Sequence, residues 1–216
     1  MLPRVLHVDP AAPRDGRVRV AIDALEAGQV VAIPTETFYG LAVDSFDAVA
    51  VGRLNELKGK PPGSPALALL ADVEQAALVA TELPASFHRL AAAFWPGPLT
   101  LVVQGVPGLP EPICGARGTV GIRVPGLALP RVLASGLGRP VTGVSANVHG
   151  QAACRTAAEV LRALPEGIAV ILDGGRTPGG VSSTVLDLSG PRPTLIRVGA
   201  VPLDALRPFL PDLDVT

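Results

Sequence analysis

Residues 29–43 read QVVAIPTETFYGLAV, and the fold class turns on this stretch. Its first six residues, apolar after Gln29 and closed by Pro34, are the length of a strand; a strand with so continuous an apolar run is one covered on both faces. A polar break of Thr35, Glu36 and Thr37 follows, then a second strand over 38–43. Upstream, residues 17–27 set Val18, Ala21, Ile22 and Leu25 on one helical face, with Gly28 as the stop. Helix, buried strand, polar turn and strand form the pattern of an α/β sheet protein. Ligands of such sheets bind at strand ends.

The same pattern extends outward. Strands are predicted over 4–8, 67–71, 99–104, 119–124, 141–144, 169–173, 183–188 and 194–198. Helices are predicted over 46–57 (capped by Asp44 or Ser45), 72–80, 85–94, 128–135, 156–163 and 203–209. Loops rich in proline and glycine fall at 58–65 and 105–118, and a flexible one at 174–180. The expected architecture is a single α/β domain over 1–216, its core over 18–209, built on one large, twisted, mixed β-sheet flanked by helices.

Composition agrees. Of 216 residues 48% are hydrophobic and 17% charged, too apolar for a disordered chain. Aromatics are only 3%, so Val, Leu, Ile and Ala must build the core, and 24 glycines with 23 prolines exclude a helical bundle. The longest charge-free stretch, 90–110, is interrupted by Pro96, Pro98, Pro107 and Pro110, so no apolar run reaches the ~18 residues of a membrane span. The opening MLPRVLHVDP is not a signal or transit peptide. These features point to a soluble cytoplasmic protein.

Several chemistries are disfavoured. A net charge of −1 gives no global field to collect nucleic acid. Cys114 and Cys154 lack metal-ligand spacing, and His7, His88 and His149 are scattered, which argues against a zinc enzyme and leaves no metal site on protein side chains. Neither a Walker loop nor a dinucleotide fingerprint occurs. All but two of the 18 basic residues are arginine; the exceptions are Lys58 and Lys60, on one proline-bounded loop. Compact ammonium groups there suit a polyanion, and a solvated helix end is the plain alternative. Three further segments lie at strand ends: Thr35 to Tyr39, with two hydroxyls and a carboxylate; TVGIRVP over 119–125; and Thr142 to Asn147. Arg123 sits between Ile122 and Val124, so facing inward it needs an anion partner, and facing outward it is ordinary.

Together these segments resemble the YrdC-like threonylcarbamoyl-adenylate synthases. PTETFYGL, K-x-K-P with a following proline, FWPGPLTLVV, TVGIRVP, SAN, DGG, SSTVLDL and LIRVGA stand in the family's order. The resemblance implies an ATP-using nucleotidyltransferase. L-threonine and bicarbonate give threonylcarbamate, whose carboxylate attacks the α-phosphate of ATP; pyrophosphate leaves, and the product serves tRNA modification at adenosine 37. It further implies Mg²⁺ travelling with ATP, downstream tRNA threonylcarbamoyl-transferase proteins as partners, and at most a weak tRNA contact. Carried over residue by residue, Lys58, Lys60, Ser64, Thr119, Ser145, Asn147, Thr156 and Arg197 fall on the ATP side, with Lys58 and Lys60 in the catalytic role. Thr35, Arg123, Thr142 and Ser183 fall on the threonine side.

Two positions depart from the family pattern. Lys60 replaces a customary arginine, turning a bidentate contact into a point charge. Leu69 stands where the longer, two-domain branch often has histidine, a match to the short branch. The competing readings are an RNA-binding module, against which the charge speaks, and a nucleotide-binding paralogue without turnover.

Overall fold

A computed structural model describes residues 2–13, 16–60, 65–114, 117–210 and 213. Its strands are β1 (Arg4–His7), β2 (Val31–Pro34), β3 (Tyr39–Ala42), β4 (Ala68–Leu69), β5 (Leu99–Gln104), β6 (Thr119–Arg123), β7 (Val141–Thr142), β8 (Val144–Ser145), β9 (Val170–Asp173), β10 (Thr184–Asp187) and β11 (Thr194–Arg197). Its helices are α1 (Gly16–Glu26), α2 (Ala48–Leu57), α3 (Ala85–Phe94), α4 (Glu111–Cys114), α5 (Ala128–Leu137), α6 (Ala157–Ala163) and α7 (Leu203–Leu206).

The mixed, helix-flanked α/β class stands, with its strands divided between two ladders. One runs β1-β9-β2-β3-β8, the other β11-β10-β5-β6-β4-β7, and each mixes parallel with antiparallel neighbours. In β2 the period of two sends Val31 and Ile33 into a cluster with α1 and α5 (Ile22, Leu25, Leu129, Leu133), while Ala32 joins the larger core on the opposite face. Burial on both faces is why this strand reads as an unbroken apolar run.

The strand predicted over 141–144 is broken at Gly143, β7 lying in one ladder and β8 in the other. The break is the seam between them. Thr142 N donates to Val43 O at 2.9 Å and Gly143 N to Leu67 O at 2.8 Å. A Cβ on Gly143 would meet the Leu69 side chain, from the neighbouring strand β4, at 2.5 Å, so glycine at the break leaves room for that side chain.

Other boundaries differ for local reasons. Helix α2 begins at Ala48 rather than 46, because Asp47 is its cap, accepting from Val49 N and Ala50 N; Asp44 instead accepts from Phe46 N in the turn before. The predicted helix over 72–80 is a short 3-10 helix, Glu74–Leu78, and the loop over 105–118 carries the single turn α4 behind Pro110. The final predicted helix is α7 followed by a 3-10 turn, Arg207–Phe209. No described helix is long and apolar enough to cross a membrane.

Candidate functional site

A cavity of about 270 Å³ opens along the seam, lined in part by β3, β8, Gly143 and the ends of β6 and β11. Seven of the sequence-predicted residues line it: Thr35, Lys58, Lys60, Arg123, Ser145, Ser183 and Arg197. They come from six segments spread over more than 160 positions, and the meeting of the two ladders brings them together. Four of the lining side chains are cationic, and no carboxylate is among the described lining residues.

Lys58 sits at the C-terminal cap of α2 and is 2% exposed. Its Nζ donates to the carbonyl of Ser145 and, at 2.6 Å, to that of Asn147; the backbone returns the link, His149 N donating to Lys58 O at 2.8 Å. The lysine therefore ties the end of α2 to the Ser145–Ala146–Asn147 turn. Burial, and then the charge of Lys60, draw its pKa down to about 8. Burial also lowers that of Lys60, whose Nζ lies 3.5 Å from Pro65 O. Ser64 falls outside the described residues.

Arg123, also among the lining residues, faces inward, its side chain 5% exposed. An anion partner is present, and it is Glu36: Nη2 donates to Oε1 at 2.5 Å. Arg197 donates through Nε and Nη2 to Ser183 O, at 3.1 and 2.9 Å, and through Nη2 to Ser183 Oγ at 3.1 Å. Burial and the neighbouring charge of Arg123 both push the Arg197 pKa down. Ser183 is itself fixed by a 2.9 Å hydroxyl contact with Thr100. Thr35 closes the polar turn, its Oγ1 accepting from Thr37 N and Phe38 N and donating to Phe38 O. Desolvated cations facing an open cavity are stabilised by an anionic ligand, and hydroxyls on fixed turns orient its polar groups.

The remaining predicted residues lie elsewhere. Thr142 is fully buried in the seam, its Oγ1 donating to Leu41 O and accepting from Val43 N. Thr156 caps α6, accepting from Glu159 N at 3.1 Å. Thr119 starts β6 opposite Gln104. Asn147 braces its own turn, Nδ2 donating to Val148 O and Gln151 O, while its carbonyl holds Lys58. Glu36 had no assigned role from sequence, nor did the lining residues Thr37, Tyr39 and Ser182. The only signal for Glu36 was a carboxylate within a hydroxyl-rich turn.

Comparison with known proteins identifies the family. The Sua5/YciO/YrdC family model, described as telomere recombination, matches residues 23–199. A threonylcarbamoyl-AMP synthase of Pyrococcus abyssi is 37% identical over 92% of this chain and 58% of its own length. One from Bacillus subtilis is 35% identical over 89% and 56%. The crystal structure of P. abyssi Sua5 complexed with L-threonine superposes with a TM-score of 0.93 at 35% identity, over 98% of this chain and 62% of that one. The chain thus spans under two thirds of the length of these relatives.

Proposed function

The chain belongs to the Sua5/YciO/YrdC family, and on that premise we propose that it is an L-threonylcarbamoyladenylate synthase, a cytoplasmic enzyme making threonylcarbamoyl-AMP and pyrophosphate from L-threonine, bicarbonate and ATP for tRNA modification. The observation that carries the reading is the cavity's division. Four cations, Lys58, Lys60, Arg123 and Arg197, line one cavity with the hydroxyls of Thr35, Ser145 and Ser183, and they fall into two pairs: the charge of Lys60 bears on Lys58, and that of Arg123 on Arg197.

The reaction needs no covalent nucleophile of the protein. It joins the carboxylate of a carbamate to an α-phosphate, so positioning and charge neutralisation are the main contributions. Arg123 holds the amino-acid carboxylate, with Thr35 and Ser183 beside it. Lys58 and Lys60 neutralise the triphosphate and the departing pyrophosphate, with Ser145 and Arg197 on the nucleotide. Lys58 also keeps the Ser145–Asn147 turn in place through its two carbonyl contacts. Thr142 and Asn147 brace the seam and the Lys58 turn rather than lining the cavity, while Thr156 caps α6 and Thr119 starts β6.

Mg²⁺ would come with the nucleotide. It would add charge neutralisation at the phosphates, and the roles above do not depend on it. A downstream transferase would take up the adenylate.

Pyrophosphate release from ATP, measured with each amino acid in turn and with and without bicarbonate, tests the reading. Release is expected with threonine only when bicarbonate is present. Nucleotide binding with no threonine-dependent release would instead identify a binding protein without turnover.

A further inference from the structure

We infer that Glu36 is a positioning residue for Arg123, holding the guanidinium from behind so that the side facing the cavity stays open to the substrate carboxylate. The inference rests on the assignment of Arg123 to the amino-acid carboxylate.

Its basis is which of the two groups lines the cavity. Arg123 lines the cavity and Glu36 does not, although its neighbours Thr35 and Thr37 both do. The Glu36 carboxylate instead lies toward Gly126, whose added Cβ would stand 3.5 Å from the Glu36 side chain. The ion pair is thus made to a carboxylate that is not itself among the residues lining the cavity. It is monodentate, through Nη2 and Oε1 alone; Arg123 Nε is buried without a hydrogen-bond partner, and so is Glu36 Oε2. One charge-assisted contact therefore tethers the guanidinium to the 35–38 turn.

The anchor answers a specific difficulty. Arg123 and Arg197 are close enough that the charge of one lowers the pKa of the other, so in the empty cavity they repel. Arg197 is pinned by Ser183 O and Oγ, and Arg123 by Glu36. With each guanidinium fixed by its own oxygen acceptor, the pair is already arranged for an incoming anion, which does not have to order them on binding.

The test is calorimetric titration of L-threonine and of ATP, separately, into the wild-type protein and the variants Glu36→Ala, Glu36→Gln and Arg123→Ala. Glu36→Ala should weaken threonine about tenfold and leave ATP within about twofold. Glu36→Gln keeps an oxygen that can accept from Nη2 and should recover part of the loss. Arg123→Ala sets the full cost of losing the guanidinium. Unchanged or tighter threonine binding in Glu36→Ala would overturn the inference, as would equal weakening of threonine and ATP, the mark of a general structural role. If Glu36→Ala does not fold, Glu36→Gln decides alone: threonine should bind about threefold more weakly, and wild-type affinity would overturn the inference. A wild-type protein that binds no threonine would defeat the assignment of the carboxylate itself, an outcome distinct from the others.

Discussion

At Lys58 two carbonyls hold the ammonium against the cavity wall while burial and Lys60 draw its pKa from 10.5 to about 8. The consequences for folding and for binding run in opposite directions. Below pH 8 the amine is protonated in both folded and unfolded chains. Between about 8 and 10.5 only the unfolded chain keeps the proton, so this residue's contribution to stability improves as pH rises through that window. Its service to a polyanion does the reverse. At pH 9 about nine tenths of the charge is gone, and ATP should bind up to about tenfold more weakly than at pH 7. Titrations at the two pH values check this, and Lys58→Met should flatten the difference; an equal pH effect in that variant would remove Lys58 as its source. Legibility at this scale was uneven. The two lysines stood out because arginine fills every other basic position. The direction Arg123 faces was undecided in the sequence, since one arginine between Ile122 and Val124 fits either side of a strand. Its ion-pair partner lies 87 positions away in a turn, and a turn carboxylate looks solvent-facing until the fold is known.

Among the elements, those with a clear period were readable: α1 from its apolar face, β2 and β5 from their runs, α3 up to its Trp95-Pro96 stop. Elements fixed by one side chain or one glycine were not. The start of α2 depends on which of Asp44, Ser45 and Asp47 turns its oxygen onto the first amides, and propensity scarcely separates them. Residues 72–80 carry helix formers yet make only a short 3-10 helix, with Gln75 spent on Ala71 N and Ala134 O. Thr156 offers an element-scale test. The family resemblance puts it with the nucleotide, whereas here its hydroxyl caps α6 away from the cavity lining. Thr156→Ala should cost about 1 kcal/mol, a melting temperature lower by roughly 2–4 °C in a chain of this size, with ATP affinity changed less than twofold. Thermal melts beside ATP titrations read both quantities. A large loss of ATP affinity with an unaltered melt would return Thr156 to the nucleotide.

For the molecule as a whole, the sequence conveyed the α/β class and the segments that meet, but not the division into two ladders. Strand partnership depends on contacts far apart in the chain, and the break at Gly143 looks like any glycine in a strand until Leu69 is seen against it. Because the cavity lies along that seam, a ligand in it grips both ladders. ATP at one hundred times its dissociation constant should add about 2.7 kcal/mol, raising the melting temperature by roughly 5–11 °C in a single transition. A ligand-bound melt that splits in two would show the ladders unfolding independently. The spread of cavity residues along the chain also bears on the order in which the protein is made. The lysine loop leaves the ribosome early, yet β9, which pairs with β1 and β2, and β11, which carries Arg197, come more than one hundred residues later. Such non-local pairing forms late and slowly. A nascent chain interrupted before β11 would hold the lysines without the second guanidinium, so the cavity's set of four cations is complete only with the last of the described strands.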